Sequence, residues 1–131
     1  MLDHLDIFVS DLARSRAFYV AALAPLGHAV THEYPGEAVG FGVASGFGRS
    51  TNPSGDLWIK LGTPSDTKPH YAFAAASPEM VQAFHAAALA AGGTDNGKPG
   101  PRGYHRGYYA AFVLDPDGYN IEAVCHNGPV D

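Results

Sequence analysis

His4-Leu5-Asp6-Ile7-Phe8-Val9 and His70-Tyr71-Ala72-Phe73-Ala74-Ala75 open two copies of one unit. The first copy runs on through a helical segment with Phe18 to Gly27, the second through one with Phe84 to Gly93. The offset is constant, since 70 − 4, 84 − 18 and 93 − 27 each give 66. An internal repeat of this kind decides architecture before any single residue does. It also sets two histidines at matching places, where a pseudo-two-fold axis would bring them together. Two imidazoles meeting on such an axis suggest a metal.

Outward from these strands the order of elements repeats. Residues 2–9 read as a strand, with Leu5, Ile7 and Val9 on one face and His4, Asp6 and Phe8 on the other. Ser10-Asp11 offers N-cap oxygens for a helix near 11–25, which Pro25 and Gly27 close. Short strands are expected near 28–34, 38–44 and 56–62, with a flexible loop from Ser45 to Gly55. In the second copy a strand spans 70–76. Ser77-Pro78-Glu79 then starts a helix near 78–91, with Ser as N-cap and Pro in the first turn. The stretch from Gly97 to Gly107, rich in glycine and proline, reads as a loop. Strands near 108–114 and 119–125 follow, joined by the turn Asp115-Pro116-Asp117-Gly118. Each copy is therefore read as β-α-β-β-β, in one domain over residues 1–131 with modules at about 1–64 and 68–126.

The copies also end alike. Gly55-Asp56-Leu57-Trp58-Ile59-Lys60-Leu61 resembles Asp117-Gly118-Tyr119-Asn120-Ile121-Glu122-Ala123, and aligning Ile59 with Ile121 sets Lys60 opposite Glu122. Four matching positions result: His4 and Lys60, His70 and Glu122. Two imidazoles and a carboxylate suit Zn²⁺, Fe²⁺, Mn²⁺ or Ni²⁺ and leave positions open for substrate and water. The competing reading makes His4 and His70 hydrogen-bonded cavity residues and pairs Glu122 with Lys60.

Tyr104-His105-Arg106-Gly107-Tyr108-Tyr109 is the other concentrated signal. His105 is a candidate general acid/base, or an exposed loop histidine. Tyr109 is a candidate pocket residue or a core tyrosine with its hydroxyl satisfied. Lys60, Trp58 and Tyr104 are candidates for holding substrate, although Trp58 reads as packing before it reads as a stacking platform. Cys125 is out of phase with Glu122 and should face away from the site.

The composition of this 131-residue chain, 46% hydrophobic and 16% charged, is that of a globular protein. A net charge of −5 without basic runs argues against nucleic acid. A single cysteine allows no internal disulfide and fits a reducing compartment, so a cytoplasmic location is expected. No apolar run has the length of a membrane span.

The βαβββ repeat, the opening His-Leu-Asp-Ile-Phe-Val-Ser-Asp-Leu with Phe18-Tyr19 and Leu26-Gly27, and Asp115-Pro116-Asp117-Gly118-Tyr119-Asn120-Ile121-Glu122 resemble the vicinal oxygen chelate superfamily. That group includes glyoxalase I, fosfomycin-resistance thiol transferases, extradiol dioxygenases and bleomycin-binding proteins. The resemblance implies an α+β fold whose paired modules form a cupped, barrel-like mixed sheet with helices outside. It also implies a divalent metal on His4, His70 and Glu122, chelated by two neighbouring oxygens of a small substrate, in a homodimer. Such an enzyme would be a metal-dependent lyase, thiol transferase or dioxygenase. The alternative is a non-catalytic binding protein of the bleomycin-resistance type. Lys60 departs from the pattern of glyoxalase I, which has an acidic or amide ligand at that position. An ammonium cannot ligate, so this lysine is read as serving an anionic substrate oxygen or Glu122, or as a solvated side chain that points away on an edge strand.

Overall fold

Alternating apolar residues in β1 (Leu5–Val9) bury Ile7 and Val9 in the core and leave Asp6 and Phe8 on the open face. A computed structural model describes residues 2–130. The first module continues with α1 (Leu12–Leu23), a 3₁₀ turn (Ala24–Leu26), β2 (His28–Tyr34), β3 (Ala38–Val43) and β4 (Leu57–Leu61). The second comprises β5 (Tyr71–Ala74), α2 (Pro78–Ala90), β6 (Thr94–Pro101), β7 (Tyr109–Leu114) and β8 (Asn120–Cys125). Both helix starts follow from their caps. The Asp11 carboxylate accepts from Arg14 N at 3.0 Å, and Ser77 Oγ accepts from Met80 N at 3.3 Å. Gly27, at φ 87°, ends the first helical segment in the left-handed region.

Each module forms its own four-stranded mixed sheet, ordered β1-β4-β3-β2 and β5-β8-β7-β6. Among the described residues the two sheets share no ladder, so the two βαβββ modules of one chain stand as separate mixed sheets and not as a closed barrel. The strands β1 and β5 are edges. The modules instead meet through α1 packed on α2, and a common core takes Phe18, Tyr19, Ile59, Phe84, Val113 and Ile121 from both.

The Asp115–Gly118 turn fastens the modules together. Asp115 Oδ1 accepts from the amides of Asp117 (2.9 Å) and Tyr119 (2.8 Å), while Oδ2 accepts from the Tyr19 hydroxyl at 2.6 Å. Tyr71 Oη lies 2.7 Å from Tyr19 Oη, and the Tyr119 hydroxyl donates to the Phe8 carbonyl at 2.6 Å. Burial pushes the Asp115 carboxyl and the Tyr19 and Tyr71 phenols above their ordinary values.

The sequence reading of 97–107 as a loop is corrected by β6. Pro99 and Pro101 cannot donate to a ladder, and the register slips at Gly97 and again before Gly100. Such a strand survives only at a sheet edge, where β6 stands.

Candidate functional site

On the open face of the second sheet His70 precedes β5 and meets Glu122 from the neighbouring β8. Its Nδ1–H donates to the Asn120 carbonyl at 2.8 Å, and Nε2 lies 2.8 Å from Glu122 Oε1. The Tyr108 hydroxyl donates to Glu122 Oε2 in a short contact. Burial, then that hydrogen bond, pushes the Tyr108 phenol up to about 12. Glu122 is 3% exposed, whereas the His70 side chain is 44% exposed. The chemistry of this pair is determined by the Asn120 contact. With Nδ1–H committed there, Nε2 presents a lone pair toward a carboxylate oxygen unless a second proton lies between them. The 2.8 Å separation is that of an N–H···O hydrogen bond, and the same nitrogen and oxygen are donor types that a divalent metal takes.

The first sheet carries a different set. His4, Asp6, Tyr34, Glu37, Trp58 and Lys60 line a cavity of about 380 Å³. His4 Nδ1–H donates to Asp3 Oδ1 at 2.8 Å, which leaves Nε2 as the ring's lone-pair nitrogen. Hydrogen bonds from His4 and Asn52 hold the Asp3 carboxyl below its ordinary value. Lys60 Nζ donates to Asp6 Oδ2 at 2.9 Å. Trp58 stacks on Tyr34, with centroids 5.9 Å apart and planes at 28°. His32 packs on Tyr34 with centroids 4.8 Å apart.

The ladders revise the pairing of positions drawn from the sequence. Residues of β4 lie 52 beyond their β1 partners (57 − 5), and those of β8 lie 50 beyond their β5 partners (121 − 71). Offsets for the first and last strands must therefore differ by two, whereas 66 and 62 differ by four. Phe8 is the ladder partner of Lys60 and Ala72 that of Glu122. Asp6, two residues before Phe8, thus stands to Lys60 as His70 stands to Glu122. Each module has one acid–base contact at this place, with its polarity reversed: Asp6–Lys60 at 2.9 Å and His70–Glu122 at 2.8 Å. His4 lies a further two residues out on the same face.

Among the described residues no three His, Cys, Asp or Glu side chains stand close enough to hold a metal. Within one chain His70 and Glu122 come together and His4 does not join them. The Lys60–Glu122 pairing is likewise absent, because Lys60 takes Asp6 instead. Lys60 and Trp58 line one cavity. Tyr104 is 73% exposed, with its ring edge on Tyr108 at 5.0 Å. His105 donates through Nδ1 to the Arg106 carbonyl (3.0 Å), and its Nε2 lies 3.1 Å from His126 Nδ1. It approaches Glu122 only through the Tyr108 ring. Tyr109 is buried, and its hydroxyl accepts from Gln82 of α2, so it belongs to the helix side of the sheet. Cys125 lies in the core, as its phase required.

Two residues escaped the sequence reading. Tyr108 shares a face with Phe112, the ladder partner of Glu122, and period-two alternation could have found it. Asp6 sits two residues from His4 on one strand face, a spacing visible in the sequence. Its partner Lys60 was not, because the β1–β4 register is a tertiary fact.

Two βαβββ modules that share a core and present ionisable side chains on open sheet faces define a class of small α+β folds. The chain belongs to the Glyoxalase/Bleomycin resistance protein/Dioxygenase superfamily, whose model matches residues 1–123; this is the vicinal oxygen chelate group. A glyoxalase/bleomycin resistance protein from Albidiferax ferrireducens T118 is 32% identical. The match covers 93% of this chain and 95% of that one, with a TM-score of 0.73. A mutant of the genomically encoded fosfomycin resistance protein FosX from Listeria monocytogenes, complexed with Mn(II) and 1S,2S-dihydroxypropylphosphonic acid, is 20% identical. There the coverage is 99% and 91%, at a TM-score of 0.67. Glyoxalase I from Zea mays is 22% identical over 98% of this chain and 45% of its own, at a TM-score of 0.67. These last two show the fold alone. A search of curated proteins finds no match. No helix among the described residues is long and apolar enough to cross a membrane.

Proposed function

We propose that the protein is a small metalloenzyme acting on an oxygen-rich small molecule, with each site shared between two copies of the chain. His70 and Glu122 of one copy and His4 of the other hold a divalent transition metal. The observation that carries this reading is the His70–Glu122 contact at 2.8 Å, which sets an imidazole nitrogen and a buried carboxylate oxygen side by side on one open sheet face, two donors of the types a divalent metal takes. Two further features support it. Both histidines are fixed through Nδ1 to an oxygen acceptor, so each offers Nε2, as metal-ligating imidazoles do. The strands beside His4 and His70 are sheet edges, which are templates for pairing with a second copy. The Mn(II) in the Listeria structure agrees with a divalent metal in this fold.

When bound, the metal supplies Lewis-acid polarisation of two neighbouring substrate oxygens. The chain supplies the rest. Asn120 and Asp3 orient the imidazoles, and the Tyr108 hydroxyl holds Glu122 Oε2 so that Oε1 faces the site. The stacked Trp58 and Tyr34 rings form an apolar wall against a flat or aliphatic part of the substrate. The Lys60 ammonium can turn from Asp6 to an anionic substrate oxygen, since it is about two-fifths exposed.

Metal analysis of the protein after supplementation tests the reading. About one divalent ion per chain is expected in the wild type and none in His70→Ala, with both folded by circular dichroism. A non-catalytic binding cleft is the second reading, favoured by the aromatic wall of the 380 Å³ cavity. It replaces the first if the wild type takes up no metal.

A further inference from the structure

Asp6 is a carboxylate placed where the first module otherwise offers only a lysine. Resting on the shared metal site proposed above, we infer that Asp6 is a ligand of that site, contributed with His4 by the same strand. Lys60 is its counter-ion.

The argument starts from register. Measured from the charged residue of the terminal strand, Asp6 stands to Lys60 as His70 stands to Glu122, while the 66-residue offset keeps His4 opposite His70 and sets Trp58 opposite Glu122. The site-facing side of the second module presents a base on the edge strand and an acid on the inner one. In the first module the acid has moved to the edge strand and the base to the inner one. The first module thereby carries its carboxylate on β1, where the second carries it on β8. His4 and Asp6 are two residues apart on one strand face, roughly 7 Å along the chain. Side chains at that spacing can converge on one ion from neighbouring positions.

The contacts agree. Lys60 Nζ binds Asp6 Oδ2, while Asp6 Oδ1 accepts no hydrogen bond from any described residue. One oxygen is thus held by an ammonium and the other is left for the site, the arrangement in which a ligating carboxylate is oriented by a neighbouring donor. The pairing also answers the charge problem. A lysine beside a divalent ion is repelled, and a carboxylate between them offsets that repulsion. Glu37 is the other carboxylate on this cavity, but it sits exposed on the β2–β3 turn, without a comparable anchor. Two imidazoles and two carboxylates make a hard, oxygen-rich donor set that suits Mn²⁺ or Fe²⁺ as well as Zn²⁺.

The test is Mn²⁺ titration of metal-stripped, full-length protein, read by electron paramagnetic resonance of free Mn²⁺ and by calorimetry. Asp6→Asn should weaken Mn²⁺ binding at least tenfold, and Asp6→Glu should restore part of the loss. Glu37→Gln should bind as the wild type does. If Asp6 acted only by neutralising Lys60, the double variant Asp6→Asn/Lys60→Gln would regain wild-type affinity. A ligand's loss is not rescued in this way, so the double variant should remain weak. Wild-type affinity in Asp6→Asn or in the double variant, with His70→Ala still unable to bind, overturns this inference and leaves the shared site standing. A wild type that binds no Mn²⁺ overturns both. Thermal unfolding followed by circular dichroism confirms that each variant is folded.

Discussion

Removing one hydroxyl should loosen the joint between the two modules. Tyr19 is fully buried, and its hydroxyl donates to Asp115 Oδ2 at 2.6 Å and accepts from Tyr71 Oη at 2.7 Å. Tyr19→Phe removes the oxygen and keeps the ring against Phe18 and Phe41, so the cavity contribution is small. Two losses remain. A hydrogen bond to a charged acceptor is worth about 1.5–3 kcal/mol, and leaving the Tyr71 hydroxyl unpartnered adds roughly 1 kcal/mol. Asp115, 4% exposed, keeps its two amide donors, so its charge is not abandoned. The expected destabilisation is about 2–4 kcal/mol, a sizeable part of the ~5–15 kcal/mol of a typical domain. Tyr119→Phe is the internal standard, since it loses one hydrogen bond to the neutral Phe8 carbonyl, about 1 kcal/mol. Urea unfolding followed by circular dichroism measures both. A Tyr19→Phe loss under about 1 kcal/mol, or one smaller than that of Tyr119→Phe, would refute the idea that the buried carboxylate is the strong point of the joint.

Other outcomes follow from particular residues. Tyr108→Phe should leave the fold intact and weaken metal binding roughly tenfold or more, because Glu122 Oε2 loses its donor; calorimetric titration checks it. Burial holds His28 below its ordinary 6.5, so the unfolded chain takes up that proton first. Stability contributed by neutral His28 is therefore present above about 6.5 and lost as pH falls through the lower folded value, and His28→Gln should flatten the stability–pH curve there. Gly93→Ala should destabilise by more than 1 kcal/mol, since an added Cβ would lie 2.5 Å from Val113 Cγ1 and 2.9 Å from the Ala88 carbonyl; thermal unfolding reads it.

The repeat was legible because it rests on local signals. Strand alternation around Ile7, caps at Asp11 and Ser77, and left-handed glycines at Gly27 and Gly118 act within a few residues of chain. The approach of His70 to Glu122 was legible because each lies on the open face of its strand. The β1–β4 register was not, because a shift of two residues keeps every side chain on its face and leaves the hydrophobic pattern unchanged. That shift gives Lys60 the Asp6 side chain as its neighbour, as Glu122 has His70, and leaves Trp58 at the place matching Glu122 when His4 is matched to His70. The strand β6 was hidden for a different reason. Its glycines and prolines satisfy every rule for a loop, and only pairing with β7 makes the segment extended. Tyr109 and Tyr108 are adjacent, so choosing between them required knowing which face meets α2.

Subunit complementation tests the central claim most directly. His4→Ala and His70→Ala are purified separately, stripped of metal, mixed, dissociated in mild denaturant, reassociated and assayed for bound Mn²⁺. If each site takes His4 from one copy and His70 with Glu122 from the other, mixed dimers contain one intact site and one lacking both histidines. Random reassociation should then restore about a quarter of the wild-type metal content, although neither variant alone binds. No recovery from a mixture that does form mixed dimers would contradict a site shared between two chains.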